Sequence, residues 1–185
     1  MYKEEQNLHL IFHIDTNRIN SRSKLPAMNQ LEQWHKNGVI HIELSTVAQK
    51  EAMAGKNRLR AEKALDYVYT ETLATTPEEK TQLIKIAGIL FPKEKCNSNQ
   101  RKDIKIVFNA HKYSAILITN DGASKSQPGG ILGHKNELKE ALGIIVMSDA
   151  EAVEYIQRLI NERDKRARIQ CERYGISLPN WLGKD

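Results

Sequence analysis

Cysteine is nearly absent from this chain. Cys96 and Cys171 are the only two in 185 residues, far apart and without His or Cys neighbours at zinc-ligand spacing. That argues against a disulfide framework or a zinc site and suits a reduced, cytoplasmic setting. Long apolar runs are missing as well: nothing approaches the ~20 residues needed to cross a bilayer, so no membrane association is expected. The first apolar run, Leu8–Ile14, is short, contains His13 and follows Lys3, Glu4 and Glu5. It reads as a strand rather than a signal peptide. The chain has no Ser-His-Asp grouping, HExxH, CxxC or Gly-Lys-Ser/Thr phosphate loop. Asp15-Thr16-Asn17 lacks the second acid of a phosphatase-like Asp-x-Asp.

There is no internal repeat, low-complexity tract or clear domain boundary. A single domain over residues 1–175 is expected, followed by a tail over 176–185. Trp181 and Leu182 favour a tail laid across the body of the domain. The chain is long enough to bury a core without staples. Its 28 Lys and Arg exceed 23 Asp and Glu, a net charge of +5 that suits a polyanionic partner.

Apolar runs of strand length occur at Leu8–Ile14, Val39–Leu44, Ala115–Thr119 and Ile144–Met147. Between them lie helical patterns. Met28, Leu31 and Trp34 form one, closed by Asn37-Gly38. A long helix is expected from Thr46 to Leu73, with Ala61, Leu65, Val68 and Thr72 as its stripe. Thr76-Pro77-Glu78-Glu79 joins a capping box to a proline start. Lys93–Gln100 reads as a polar loop, and Asp103 opens the next helix. Lys135–Leu142 ends at Gly143, and Ser148 with Glu151 caps a last helix that turns inward Val153, Ile156 and Ile160 before a charged run, Asn161–Arg173. Strands alternating with helices predict an α/β three-layer sandwich, a central parallel sheet flanked by helices.

Asp15 and Asp121 each follow an apolar strand, Glu51 lies on a helix after a third strand, and Asp103 sits on a helix. Each has an ordinary alternative: strand terminator, turn residue, solvated helix position or helix-start charge. Their order adds information. Ile14-Asp15-Thr16-Asn17, then Ser45 followed by Glu51, then Asp103 at a helix start, then Thr119-Asn120-Asp121 resembles the four acidic motifs of PIN-domain nucleases. The resemblance covers roughly residues 8–155. It departs at Ala123, where the family often has a further acid, and in the glycine-rich loop Ser124–Gly133.

The resemblance implies a metal-dependent endoribonuclease. Asp15, Glu51, Asp103 and Asp121 would be catalytic and would hold one or two Mg²⁺ or Mn²⁺ ions. RNA would be met by Asn17, Arg18, Arg22, Arg101, Lys102, Lys105, Thr119, Asn120 and Lys125. By the same resemblance, an inhibitory partner protein and a homodimer are expected, with Leu73, Ile84 and Ile89 available for such a contact or for the core. The alternative is a non-catalytic module of the same fold that binds RNA or protein. Pro128-Gly129-Gly130 reads as a flexible loop before a phosphate nest. His13, His41 and His111 read as packed residues, and His134 as a loop residue near substrate. The charged last helix, with Arg163, Lys165, Arg166 and Arg168, faces RNA, a partner or water.

Overall fold

The computed structural model describes residues 6–92, 96–122 and 129–185. Five strands form one parallel sheet: β1 (Ile11–Ile14), β2 (His41–Ser45), β3 (Val68–Thr70), β4 (Ile116–Ile118) and β5 (Val146–Met147), in the order β3-β2-β1-β4-β5. The helices are α1 (Pro26–Lys36), α2 (Thr46–Ala54), α3 (Arg58–Ala64), α4 (Pro77–Leu90), α5 (Ser98–Lys112), α6 (Gly130–Gly133), α7 (Lys135–Leu142) and α8 (Asp149–Tyr174), with a 3-10 turn at Thr16–Arg18. This is the three-layer α/β architecture with a parallel sheet that the PIN resemblance implies.

The central strands are covered on both faces. Phe12, His13 and Ile14 are all buried, as are Ile116, Leu117 and Ile118, which is why those runs carry no polar alternation. Trp34, Met28 and Leu31 fill the face of α1, and Phe108, Val107 and Ile104 that of α5. Buried His13 sits 3.3 Å from the Glu43 carboxylate. Burial holds its imidazole below the usual range, and Glu43 opposes that shift.

The single helix expected over Thr46–Leu73 is three elements instead. Gly55 ends α2 in an extended conformation, the Asn57 side chain caps α3 by accepting from the Arg60 N–H, and β3 follows. Leu65 and Val68, placed on a buried stripe from the sequence, are 61% and 67% exposed. An edge strand of three residues buries too little to leave a periodic trace. Asn109 of α5 holds the segment in place by hydrogen bonds to Thr70, Glu71 and Thr72.

Helix α5 begins at Ser98 rather than Asp103, with Asn97 and Gln100 in a reciprocal capping box. Asp103 is therefore beyond the first turn, and a favourable helix-start charge does not account for it. His41 is exposed, not packed. Gly129 and Gly130 lead into α6 rather than a flexible loop, while residues 124–128 of that loop lie outside the described residues.

One expectation for the carboxyl-terminal region also changes. Arg163, counted in a charged run, is buried within α8. The tail doubles back along that helix: the Ile176 N–H donates to the Cys171 carbonyl, and Arg163 meets Asp185 and lies 4.5 Å from the Trp181 ring centre. Among the described residues, no helix is long and apolar enough to cross a membrane.

Candidate active site

The chain leaves β1 to build β2 and β3 on one side, then returns to build β4 and β5 on the other. The order of strands reverses between β1 and β4, so their following loops diverge and open a crevice at the carboxyl ends. Asp15 follows β1 and Asp121 lies just beyond β4. The Asp15 N–H donates to the Ile118 carbonyl at 2.9 Å, tying the two strand ends together.

Thr119, wholly buried, organises both acids. Its hydroxyl donates to Asp15 Oδ2 at 2.7 Å and accepts from the Asp121 N–H at 3.0 Å. Asn17 Nδ2 reaches the same Asp15 oxygen at 2.6 Å and Thr119 Oγ1 at 3.3 Å, while Asn17 Oδ1 accepts from the Asn120 N–H. The Asp121 carboxylate also accepts from the Ile131 N–H at 3.0 Å. Gly130 makes that approach possible: its φ is +45°, and a Cβ there would lie 2.5 Å from the Asp121 carbonyl oxygen.

Glu51 arrives from α2, whose start is capped by the Ser45 side chain. One Glu51 oxygen accepts from Thr16 Oγ1 at 2.9 Å, and the other pairs with Lys102 Nζ at 3.4 Å. Asp103, half-buried, comes from α5 one residue beyond Lys102. Four acids distant in sequence are thus drawn into one electrostatic neighbourhood. Burial, and then the Asp121, Asp15 and Glu51 charges, push the Asp103 carboxyl up to about 7, against a smaller opposing effect of Lys102. Burial, with lesser contributions from Glu51 and Asp121, raises Asp15 to about 6 despite its bond from Thr119. These are the shifts expected of carboxylates that lack a matching positive charge.

Among the described residues, no three His, Cys, Asp or Glu side chains are gathered tightly enough to enclose a metal ion. Magnesium, however, keeps several waters and takes only one or two carboxylates directly. Hard oxygen donors with uncompensated charge would suit Mg²⁺ or Mn²⁺ on those terms, and Asp15, Asp103 and Asp121, with Glu51 beside them, are the residues that could hold such an ion.

The other expected residues divide. Arg18 is committed to the protein: Nη1 pairs with Asp149 at 3.0 Å, and Nε bonds the Asn17 carbonyl and side chain. Arg22, Arg101 and Lys105 are exposed, and Asn120 reaches the surface. Lys125 lies outside the described residues. His134 stands at the junction of α6 and α7, 3.9 Å from Glu137. Asp149 escaped the sequence reading. It opens α8 after β5 at the same end of the sheet, directly after Ser148, whose box with Glu151 signals helix initiation.

No protein-family model and no curated protein matches the sequence. Among solved structures the chain is similar to VapBC2 from Rickettsia felis, in a crystal structure bound to a DNA fragment from the promoter. The identity is 17% and the TM-score 0.47, covering 75% of this chain and 98% of that one. It is also similar to VapBC-1 from nontypeable Haemophilus influenzae, with 17% identity and a TM-score of 0.44, over 76% of this chain and 99% of that chain. Likeness at this distance bears on no residue of the site.

Proposed function

We propose that this protein is a metal-dependent endoribonuclease that hydrolyses RNA phosphodiester bonds at the Asp15–Asp121 crevice. The observation that carries this reading is the placement of Asp15, Glu51, Asp103 and Asp121 at the β1/β4 reversal, with Lys102 the only cation bonded to any of them among the described residues. A bound Mg²⁺ or Mn²⁺ would supply Lewis-acid charge for the phosphate and lower the pKa of an attacking water. Asp15 and Asp121 present fixed oxygens, because Thr119 and Asn17 lock one and the Ile131 N–H locks the other. In the metal-free site Asp103 would keep its proton up to about pH 7, and a bound cation would displace it. Thr119 is a positioning residue, since it is wholly buried and its hydroxyl is already engaged. Choice of RNA over DNA, an inhibitory partner protein and a homodimer follow from the PIN resemblance.

The test is cleavage of end-labelled RNA with Mn²⁺ or Mg²⁺, compared with Asp15→Asn. Metal-dependent internal cuts that the variant loses would support the reading; their absence would sink it. A non-catalytic RNA- or protein-binding module is the second reading, favoured by the lack of a closed metal cluster among the described residues. Calorimetric titration with Mn²⁺ separates the two, because a module of that kind has no need to bind the ion.

A further inference from the structure

Arg18 closes the 3-10 turn that carries Asn17, and it reaches from the end of β1 past the end of β4 to the start of α8. Its Nη1 donates to Asp149 Oδ2 at 3.0 Å, and the two side chains are only 12% and 14% exposed. Its Nε donates to the Asn17 carbonyl and to Asn17 Oδ1, both at 3.0 Å. The same Oδ1 accepts from the Asn120 N–H at 3.2 Å, which leaves Asn17 Nδ2 aimed at Asp15 Oδ2 at 2.6 Å. Two donors on one amide oxygen determine which way the amide faces, because a flipped amide would set N–H against N–H. Asp149 is fixed in turn. Its Oδ1 accepts from the Ala150 N–H, and a carboxylate in the first turn of α8 suits the helix dipole. A relay Asp149–Arg18–Asn17–Asp15 therefore ties the ends of β1, β4 and β5 together.

We propose that Arg18, held by Asp149, is a positioning residue: it fixes the Asn17 amide, and through it the Asp15 carboxylate, and does not contact RNA. This rests on the nuclease reading and adds two residues to the support of its site. Charge and geometry make opposite demands here. A free guanidinium near Asp15 would oppose the approach of a cation, so its removal would strengthen metal binding. Asp149 neutralises that charge, and what Arg18 then contributes at Asp15 is orientation, the role of groups that hold a metal ligand from behind. The planar guanidinium suits this task, because Nη1 and Nε point along different directions from one rigid plane. Loss of Arg18 leaves the Thr119 bond to the same Asp15 oxygen, and Asp149 keeps its place at the helix start. The site would therefore loosen rather than collapse.

The test begins with proton–nitrogen NMR spectra of the metal-free full chain, in which the Asn17 side-chain amide is identified by its absence from Asn17→Ala. Arg18→Met should speed exchange of that amide with water about tenfold or more. Arg163→Met, which breaks a buried pair elsewhere, should leave it unchanged. In calorimetric titration Arg18→Met should bind Mn²⁺ about tenfold more weakly. Asp149→Asn keeps its shape and should shift both readouts the same way by smaller factors; it carries the test should Arg18→Met not fold. The salt slope of RNA binding in EDTA should stay unchanged, whereas losing a phosphate contact would reduce it by about one. An unchanged Asn17 amide, Mn²⁺ binding as tight as the wild type or tighter, or a reduced salt slope overturns the proposal. A wild type that neither binds Mn²⁺ nor cuts RNA, while the amide responds as expected, refutes the nuclease reading and leaves the hold on Asp15 standing.

Discussion

Arg163 and Asp15 are both withdrawn from water, at 3% and 7% exposure, in opposite regions of the molecule. Arg163 lies near Gln6, before the chain enters β1; Asp15 lies where β1 ends. Around Arg163 every demand of the charge is met: Asp164 and Asp185 accept from its guanidinium, the Gln6 carbonyl accepts a further bond, and Trp181 packs near its face. Around Asp15 the hydrogen bonds are supplied, but the nearby charges are Glu51 and Asp121, of the same sign. A buried charge with matched partners serves the fold, while one left among like charges destabilises it and calls for a cation from outside. The contrast separates a structural clasp from a candidate working site, and it can be tested at both ends.

The largest effect is expected in catalysis. Asp15→Asn and Asp121→Asn should each reduce metal-dependent RNA cleavage at least about a hundredfold while the circular dichroism of the native protein is retained. Near-wild-type cleavage by both would leave the contrast without a functional meaning.

Next comes the clasp itself. Arg163→Met leaves Asp164 and Asp185 without their partner and should cost about 3–5 kcal/mol, read as a lower urea midpoint with full activity at low temperature in the remaining folded protein. A loss below about 1 kcal/mol would mean that the tail contributes little.

The acidic site should show the opposite sign. Asp15 has a folded-state pKa raised to about 6, so its contribution to stability is fully present below the unfolded pKa and is lost as pH rises through 6. Asp103, raised to about 7, acts in the same direction. Metal-free protein should therefore lose about 3 kcal/mol at most through Asp15 between pH 4 and pH 7. Asp15→Asn should flatten that decline, and Mn²⁺ should restore stability at pH 8. Denaturant titrations at pH 5 and pH 8 measure all three; a wild-type protein equally stable at both would contradict the unbalanced site.

The smallest effect concerns the turn that holds Asp121. Gly130→Ala puts a Cβ against the Asp121 carbonyl at a φ of +45°. It should cost about 1–3 kcal/mol and depress cleavage more than it depresses RNA binding. Unchanged cleavage would show that Asp121 tolerates displacement.

Much of the fold was readable because it depends on local rules. The box Thr76–Glu79, the left-handed Gly143 and the box Ser148–Glu151 stand where the pattern predicts them. Where reading failed, the signals were local but subordinate. Gly55 with Asn57 marked a break inside the supposed long helix, and Asn97 with Gln100 marked an earlier start for α5. Both were overridden by apolar periodicity running through them. The burial of Arg163 had no sequence signal, because its partners beyond the adjacent Asp164, namely Gln6, Trp181 and Asp185, are distant in the chain.

The order of acids and their positions after strands or on helices are properties of the chain alone, as is its alternation of apolar runs and caps. Which carboxylates feel one another was decided by the sheet. Strand order places β4 beside β1, although about a hundred residues separate Asp15 from Asp121, and electrostatic coupling depends on distance in space. The same assembly turned Thr119 into a support for two acids and made Arg163 a buried clasp.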